Sequence, residues 1–138
     1  RHRFQEARAH YAKYREYAPS DATIWSDIGH SYSRQNKDAR ALEAYRRALR
    51  ANPRDARALI QTGLIHSRRG REGRARRLFR RATEAAPEDA EAWCLLGISR
   101  GQVRMTRNAR RALERCLERE NPPPDLRMTA EQLLDAPP

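Results

Sequence analysis

The sequence predicts an all-α fold, a right-handed α-solenoid of helix-turn-helix repeats, chiefly because it repeats itself every 34 residues. Trp25, Leu59 and Trp93 stand one period apart, after the similar segments APSDATIW, ANPRDARAL and APEDAEAW. A constant period of this length is typical of one helical hairpin repeated along the chain. We therefore expect a second helix of a truncated repeat at 1–19, full repeats at 22–55, 56–89 and 90–123, and a capping helix at 125–136.

Each first helix is predicted to begin at an aspartate. Asp21, Asp55 and Asp89 precede apolar-periodic segments, where a side-chain oxygen can accept a hydrogen bond from a free amide of the first turn. The prolines two residues earlier, such as Pro53, cannot continue a helix and so end the preceding one.

Glycines at the middle of the first helices recur with the same period. Glycine in a helix costs about 1 kcal/mol relative to alanine, so its recurrence needs a structural reason. We expect Gly29, Gly63 and Gly97 to let the second helix approach closely. The facing small residues are predicted to be Ala41, Ala75 and Ala109.

The two ends of the chain depart from the full repeat. Residues 3–17 are in phase with a second helix whose first helix is missing, so we expect the native protein to extend upstream. After Pro122 to Pro124 the period is lost, and 125–135 reads as one amphipathic helix. That helix is predicted to cover the apolar flank of the last repeat.

The composition fits a folded domain outside a membrane. The chain has 138 residues, 38% of them apolar, and its 34% charged residues are interleaved with alanine and leucine. It has no apolar run near the roughly 20 residues that cross a bilayer, and no signal peptide at its start. We expect a soluble, cytoplasmic protein, with the periplasm or another compartment left open if an upstream signal has been removed.

The sequence offers no catalytic or cofactor-binding cluster, so we expect no enzyme activity, no cofactor and no metal. His30 and His66 are 36 residues apart, too far to form a local catalytic motif. Gly70 and Gly73 lie at a turn without the Lys-Ser/Thr of a nucleotide loop. The acidic residues around Asp89 fit the first turn of a helix, where its dipole stabilises them.

Cys94 and Cys116 are 22 residues apart and have no second pair. This spacing predicts neither a disulfide framework nor a CxxC zinc site. We expect both cysteines to be small residues of the core.

The recurring residues resemble the signature of the tetratricopeptide repeat (TPR) family over about residues 22–122. The first repeat carries it most fully, with Trp25, Ile28, Gly29, Tyr32, Ala41, Tyr45, Ala48 and Pro53. The resemblance implies a non-catalytic scaffold or adaptor, part of a larger protein, whose first helices line a concave groove for a partner's peptide or helix. By position, the partner groove is implied to consist of Ser26, Asp27, His30, Arg34, Arg57, Ile60, Gln61, Leu64, Arg68, Glu91, Leu95, Ile98 and Gln102.

Some family members clamp the C-terminal carboxylate of heat-shock chaperones. In those members the clamp needs Lys and Asn in the first repeat, Asn in the second, and Lys with Arg in the third. This chain has Ser26 and His30, then Gln61, then Glu91 and Leu95. The chaperone clamp is therefore not expected here.

The centre of the predicted groove is apolar and flanked by arginines. Such a strip suits an amphipathic helix or apolar peptide that carries acidic residues. The alternative is that its apolar side chains only pack between adjacent first helices, and both readings stay open. The strip consists of Ile60, Leu64, Leu95 and Ile98, with Arg34, Arg57 and Arg68 nearby.

A second candidate surface is basic. Residues 34–81 contain sixteen basic and four acidic side chains, a net charge of +12. The second helices are predicted to carry a basic stripe of Lys13, Arg46, Arg47, Arg77, Arg80, Arg81, Arg110, Arg111 and Arg115. The alternatives are a solvated face, an acidic protein partner, or a nucleic acid or anionic membrane surface. The stripe lacks the interleaved aromatics that stack single-stranded bases, which disfavours nucleic acid.

Two further alternatives remain open from the sequence. One is that the domain is the regulatory arm of a larger enzyme. The other is that it self-associates through the open ends of its stack.

Overall fold

The computed structural model describes residues 20–137, which form seven helices and no strand. The helices are α1 (Asp21–Arg34), α2 (Asp38–Ala51), α3 (Ala56–Arg68), α4 (Glu72–Ala85), α5 (Ala90–Val103), α6 (Arg107–Glu118) and α7 (Pro124–Asp135). The predicted all-α class is confirmed. The helix predicted at 1–19, with Lys13, lies outside the described residues.

The helices pack as consecutive hairpins. α1 packs against α2, α3 against α4, and α5 against α6, while α2 also contacts α3 and α4 contacts α5. α7 lies against both α5 and α6. Each hairpin thus buries its apolar face against the next, which makes the fold a helical-repeat solenoid. The exact repeat boundaries stay a prediction from the period.

The predicted aspartate caps are present at two of the three first helices. The Asp55 carboxylate accepts from the Ala58 N–H at 3.2 Å, and that of Asp89 accepts from the Glu91 N–H at 2.9 Å. At α1 the prediction is wrong by one residue, because the Ser20 hydroxyl is the cap and accepts from an amide at 3.2 Å. Asp21 is instead the first residue of the helix, where its charge suits the helix dipole.

The mid-helix glycines do sit where the second helix approaches. A Cβ placed on Gly63 would lie 2.5 Å from Cε1 of Phe79, and one on Gly29 would lie 2.7 Å from Cε1 of Tyr45. Gly97 meets Leu113 in the same way. The prediction that alanines are the nearest facing residues is therefore corrected. The nearest atoms belong to the large residue four positions after Ala41, Ala75 or Ala109, because that side chain reaches across the hairpin.

The two cysteines form a disulfide, which their spacing in the sequence did not predict. Cys94 on α5 and Cys116 on α6 are joined, with their Cα atoms 4.7 Å apart. Both side chains are fully buried, so their predicted place in the core is correct. The hairpin brings together one residue near the start of α5 and another near the end of α6. Because antiparallel helices align such positions, a single pair at this spacing can bond without a wider disulfide framework.

α7 covers the last hairpin. Ala130 of α7 is fully buried beside Cys94, Leu113 and Cys116, and the leucines of α7 pack on the same cluster. Leu133 also approaches Gly101 of α5. The amphipathic segment after the prolines therefore extends the core beyond α6.

Candidate binding surfaces

The predicted groove positions on α1, α3 and α5 differ in how accessible they are. Ser26 and Ile60 are each only 2% exposed, and Leu95 is 8% exposed. Ile60 and Leu95 belong to one buried cluster with Phe79 and Leu96. These apolar residues pack between adjacent repeats and are not available to a partner.

The other predicted groove positions reach the surface. Leu64 and Ile98 are half-buried at the edges of two core clusters. The remaining polar positions surround them with hydrogen-bonding and charged groups. Asp27, His30, Gln61 and Glu91 are half-buried, whereas Arg34, Arg57, Arg68 and Gln102 are exposed. We call these ten residues the first-helix face.

Ion pairs hold two of the three arginines of this face. Arg57 Nη1 lies 3.0 Å from Asp27 Oδ1, and Arg68 Nη2 lies 3.0 Å from Asp38 Oδ1. Both pairs join the first hairpin to the second. Sequence reasoning missed them, although each pair has a separation of 30 residues, four short of the period. That offset was the available signal for the first pair, because Asp27 lies one helical turn after Thr23, the position equivalent to Arg57. Asp38 instead begins α2, just after the turn that follows Arg34, the position equivalent to Arg68.

The end of the face near α7 is acidic. Burial raises the pKa of Glu91, and the nearby Asp89 and Asp125 raise it further. A recess of about 690 Å³ beside it is also lined by Glu88 and Glu118. This end of the face is therefore unsuited to an anionic group.

The predicted basic stripe is partly used inside the repeats. The guanidinium of Arg47 lies 4.7 Å from the ring centre of Trp25, and that of Arg115 lies 4.7 Å from the ring centre of Trp93. These are cation–π distances. Arg81, whose repeat has a leucine in place of the tryptophan, donates to the Pro53 carbonyl at 3.3 Å. The periodic arginine thus contacts its own repeat at Arg47 and Arg115, and the end of the preceding repeat at Arg81.

The rest of the described stripe is exposed. Arg46 pairs with Glu43 at 2.7 Å, and Arg80 pairs with Glu84 at 3.5 Å. Arg77, Arg110 and Arg111 are exposed on α4 and α6. Of these five arginines, Arg46, Arg80 and Arg111 line two clefts between hairpins.

We name these clefts by their order along the chain. The first cleft, of about 530 Å³, lies between α2, α3 and α4 and is lined by Ala39, Leu42, Glu43, Arg46, Leu49, Thr62, His66, Arg69, Arg71 and Arg74. The second cleft, of about 290 Å³, lies between α4, α5 and α6 and is lined by Arg80, Thr83, Glu84, Trp93, Leu96, Arg100, Asn108, Arg111, Ala112 and Arg115.

Between residues 20 and 137, no group of three or more His, Cys, Asp or Glu side chains is placed to hold a metal ion. In that same part of the chain, every helix is too short or too polar to cross a bilayer.

The fold is shared with solved TPR domains. The chain is similar to the first TPR of Spaghetti (RPAP3) bound to the HSP90 peptide SRMEEVD, with a TM-score of 0.71 and 18% identity over 82% of this chain and 90% of that one. The second TPR of Spaghetti (RPAP3), bound to the same peptide, gives a TM-score of 0.66 and 20% identity over 72% and 93%. The Sgt2 TPR domain from Aspergillus fumigatus gives a TM-score of 0.72 and 23% identity over 84% and 79%.

No curated protein sequence is a significant match to this chain. The family model of the cilia and flagella-associated protein 70 middle TPR-like domain matches residues 1–119. That match spans most of the chain and agrees with the periodic glycines, the paired helices and the solved TPR domains above. The chain therefore belongs to the family of the cilia and flagella-associated protein 70 middle TPR-like domain, and so to the tetratricopeptide repeat proteins.

Proposed function

We propose that this domain is a non-catalytic scaffold that holds a peptide or helix of another protein on its first-helix face. The observation that carries the proposal is the arrangement around α3. Gln61 and Leu64 are half-exposed there, between Arg57 and Arg68, whose side chains are held by ion pairs to the first hairpin. A polar and an apolar contact point on a rigid helix is what a peptide-binding surface needs, because little entropy is lost on binding.

The related structures support a protein partner but not the same peptide. Two solved TPR domains with this fold are bound to an HSP90 peptide. At the end of the first-helix face where the clamp would need cations, this chain has Glu91 with its raised pKa and the buried Leu95. An acidic chain terminus would be repelled at that end. A partner segment whose end there is neutral or basic fits better.

The lack of a reactive cluster among residues 20–137 supports a binding role. The described histidines stand apart, with His30 on α1 and His66 on α3 lining different surfaces. The buried Cys94 and Cys116 are joined to each other, so neither is a free nucleophile. These contacts favour a scaffold over an acid–base or thiol enzyme.

The disulfide also bears on location. Disulfides persist in oxidising compartments and are rare in the cytosol. The Cys94–Cys116 bond thus favours an oxidising compartment over the cytoplasm that the sequence first indicated. To test this, the protein is taken from source cells, denatured without a reductant and treated with a thiol label. Labelling of both cysteines would contradict the proposal.

The scaffold proposal is tested with two variants of the full chain. Protein captured by the wild type from the source cells is purified, and its Kd is measured against His30→Ala/Gln61→Ala on the first-helix face. The matched control is Glu114→Ala/Gln132→Ala, which changes two exposed polar residues of α6 and α7. We expect about thirtyfold weaker binding for the first variant, since it removes two hydrogen bonds that are worth roughly 1 kcal/mol each. Equal affinities for the wild type and both variants would contradict the proposal.

A further inference from the structure

The first and second clefts occupy equivalent places in successive repeats. Each lies where the second helix of one hairpin meets both helices of the next. Their corresponding lining residues are one 34-residue period apart: Arg46 and Arg80, Leu49 and Thr83, Thr62 and Leu96, His66 and Arg100, and Arg74 and Asn108. A feature that recurs with the period is set by the solenoid itself and not by one loop.

Both clefts carry an excess of positive charge. Four arginines and one glutamate line each of them. The glutamates are already engaged, because Glu43 contacts Arg46 and Arg47, and Glu84 contacts Arg80. The remaining guanidinium groups have no carboxylate of the cleft lining left to neutralise them.

The electrostatics at the centre of each cleft agree with this excess. Burial lowers the pKa of Arg100, and Arg80 and Arg76 lower it further. At the equivalent position, burial lowers the pKa of His66, followed by the charges of Arg71, Arg74 and Arg69. Like charges therefore face each other at both sites, and an anion placed among them would reduce that repulsion.

The walls of the clefts indicate the kind of anion. Half-buried Leu42 and Leu49 line the first cleft. In the second cleft Leu96 is buried, and half-buried Trp93 carries the Arg115 guanidinium over its ring. Apolar side chains beside guanidinium groups suit a protein segment with alternating acidic and apolar residues. A sugar-phosphate backbone would leave the apolar part uncovered.

In the described part of the chain, the aromatic rings of the repeats are poorly accessible for base stacking. Trp25, Tyr32, Tyr45 and Phe79 are each at most 6% exposed, and the ring of Trp93 is covered by a guanidinium group. Proteins that bind single strands stack bases on accessible aromatic rings. The aromatic residues of these repeats are used in the core instead.

We propose that the two clefts bind one acidic segment of a partner protein, with its carboxylates on the arginines of both clefts and its apolar side chains on the leucine wall of the first. The clefts are lined by residues of first and second helices but share no residue with the first-helix face. The proposal does not depend on the scaffold function above, since either surface can bind without the other.

The test uses a labelled synthetic peptide of alternating Glu-Leu-Glu sequence and the full chain, with Kd measured by fluorescence anisotropy. Arg71→Gln/Arg74→Gln alters the first cleft and Arg80→Gln/Arg111→Gln alters the second. The control Arg50→Gln/Arg107→Gln removes two exposed charges that line neither cleft. All six arginines are exposed, so the folds should be retained, which far-UV circular dichroism verifies.

We expect each cleft variant to bind the peptide about tenfold or more weakly, since guanidinium–carboxylate hydrogen bonds are among the strong ones. The control should lose little, and a peptide with lysine in place of glutamate should not bind. Equal losses in all three variants would overturn the proposal in favour of a general charge effect. Tighter binding of a single-stranded DNA probe, lost with the same cleft variants, would overturn it in favour of nucleic acid.

Discussion

Replacement of Gly63 by alanine should destabilise the domain, although alanine is the better helix former. The added Cβ would lie 2.5 Å from Cε1 of Phe79, whereas ordinary carbon contacts are about 3.5–4.0 Å. Phe79 is 2% exposed and packs among Ala75, Ala82 and Leu96, so its ring has no free space to enter. Overpacking of this kind costs about 3 kcal/mol, and the gain in helix propensity offsets about 1 kcal/mol. The expected net loss is about 2 kcal/mol.

Urea unfolding followed by far-UV circular dichroism measures this loss. Gly73→Ala is the matched control, because its Cβ would lie 3.9 Å from the nearest atom, Nη2 of Arg76. That variant should be as stable as the wild type or more stable by up to about 1 kcal/mol. If Gly63→Ala were as stable as Gly73→Ala, the close helix approach inferred for the repeat would be refuted.

Three further perturbations test other parts of the fold. Reduction of the Cys94–Cys116 bond should lower the free energy of unfolding by about 3 kcal/mol, since it closes a loop of 22 residues; equal urea midpoints with and without dithiothreitol would contradict its role. Burial raises the pKa of Tyr45 to about 12, so the folded state favours the neutral phenol. The free energy of unfolding should therefore keep its full value below about pH 10, the usual pKa of tyrosine, and fall between about pH 10 and 12. Tyr45→Phe should show a smaller alkaline loss in urea titrations at about pH 9 and 11.5, and an unchanged loss would exclude this cause. Burial and nearby carboxylates raise the pKa of Glu91, so Glu91→Gln should raise thermal stability at neutral pH and have less effect below the usual pKa of glutamate; a neutral-pH decrease would contradict this.

The fold could be predicted from the sequence because its signals are local. The capping aspartates and the prolines each act within one or two helical turns, and the recurring glycines act within one hairpin. Their common period sets the pairing of helices. The error at Asp21 was of the same local kind, since Ser20 and Asp21 both suit the start of a helix and only the backbone shows which one is the cap.

The binding surfaces were harder to predict because they depend on how neighbouring repeats pack. Ile60 and Leu64 are on the same helix, and both were placed in the groove by position. Packing of the next hairpin buries Ile60 to 2% exposure while Leu64 stays half-exposed. In the same way, the stripe arginine Arg47 stacks on Trp25, a contact between two helices that a charge pattern cannot show.

The most direct test of the account is site-specific photo-crosslinking on the first-helix face. A benzoylphenylalanine replaces Gln61 in α3 or, as the control, the exposed Glu114 in α6, and the full chain is irradiated with the captured partner protein. The account predicts a crosslinked product from position 61 that maps to one segment of the partner, and none from position 114. A product from position 114 alone, or none from either site despite retained binding, would contradict the claim that this domain holds its partner on the first helices.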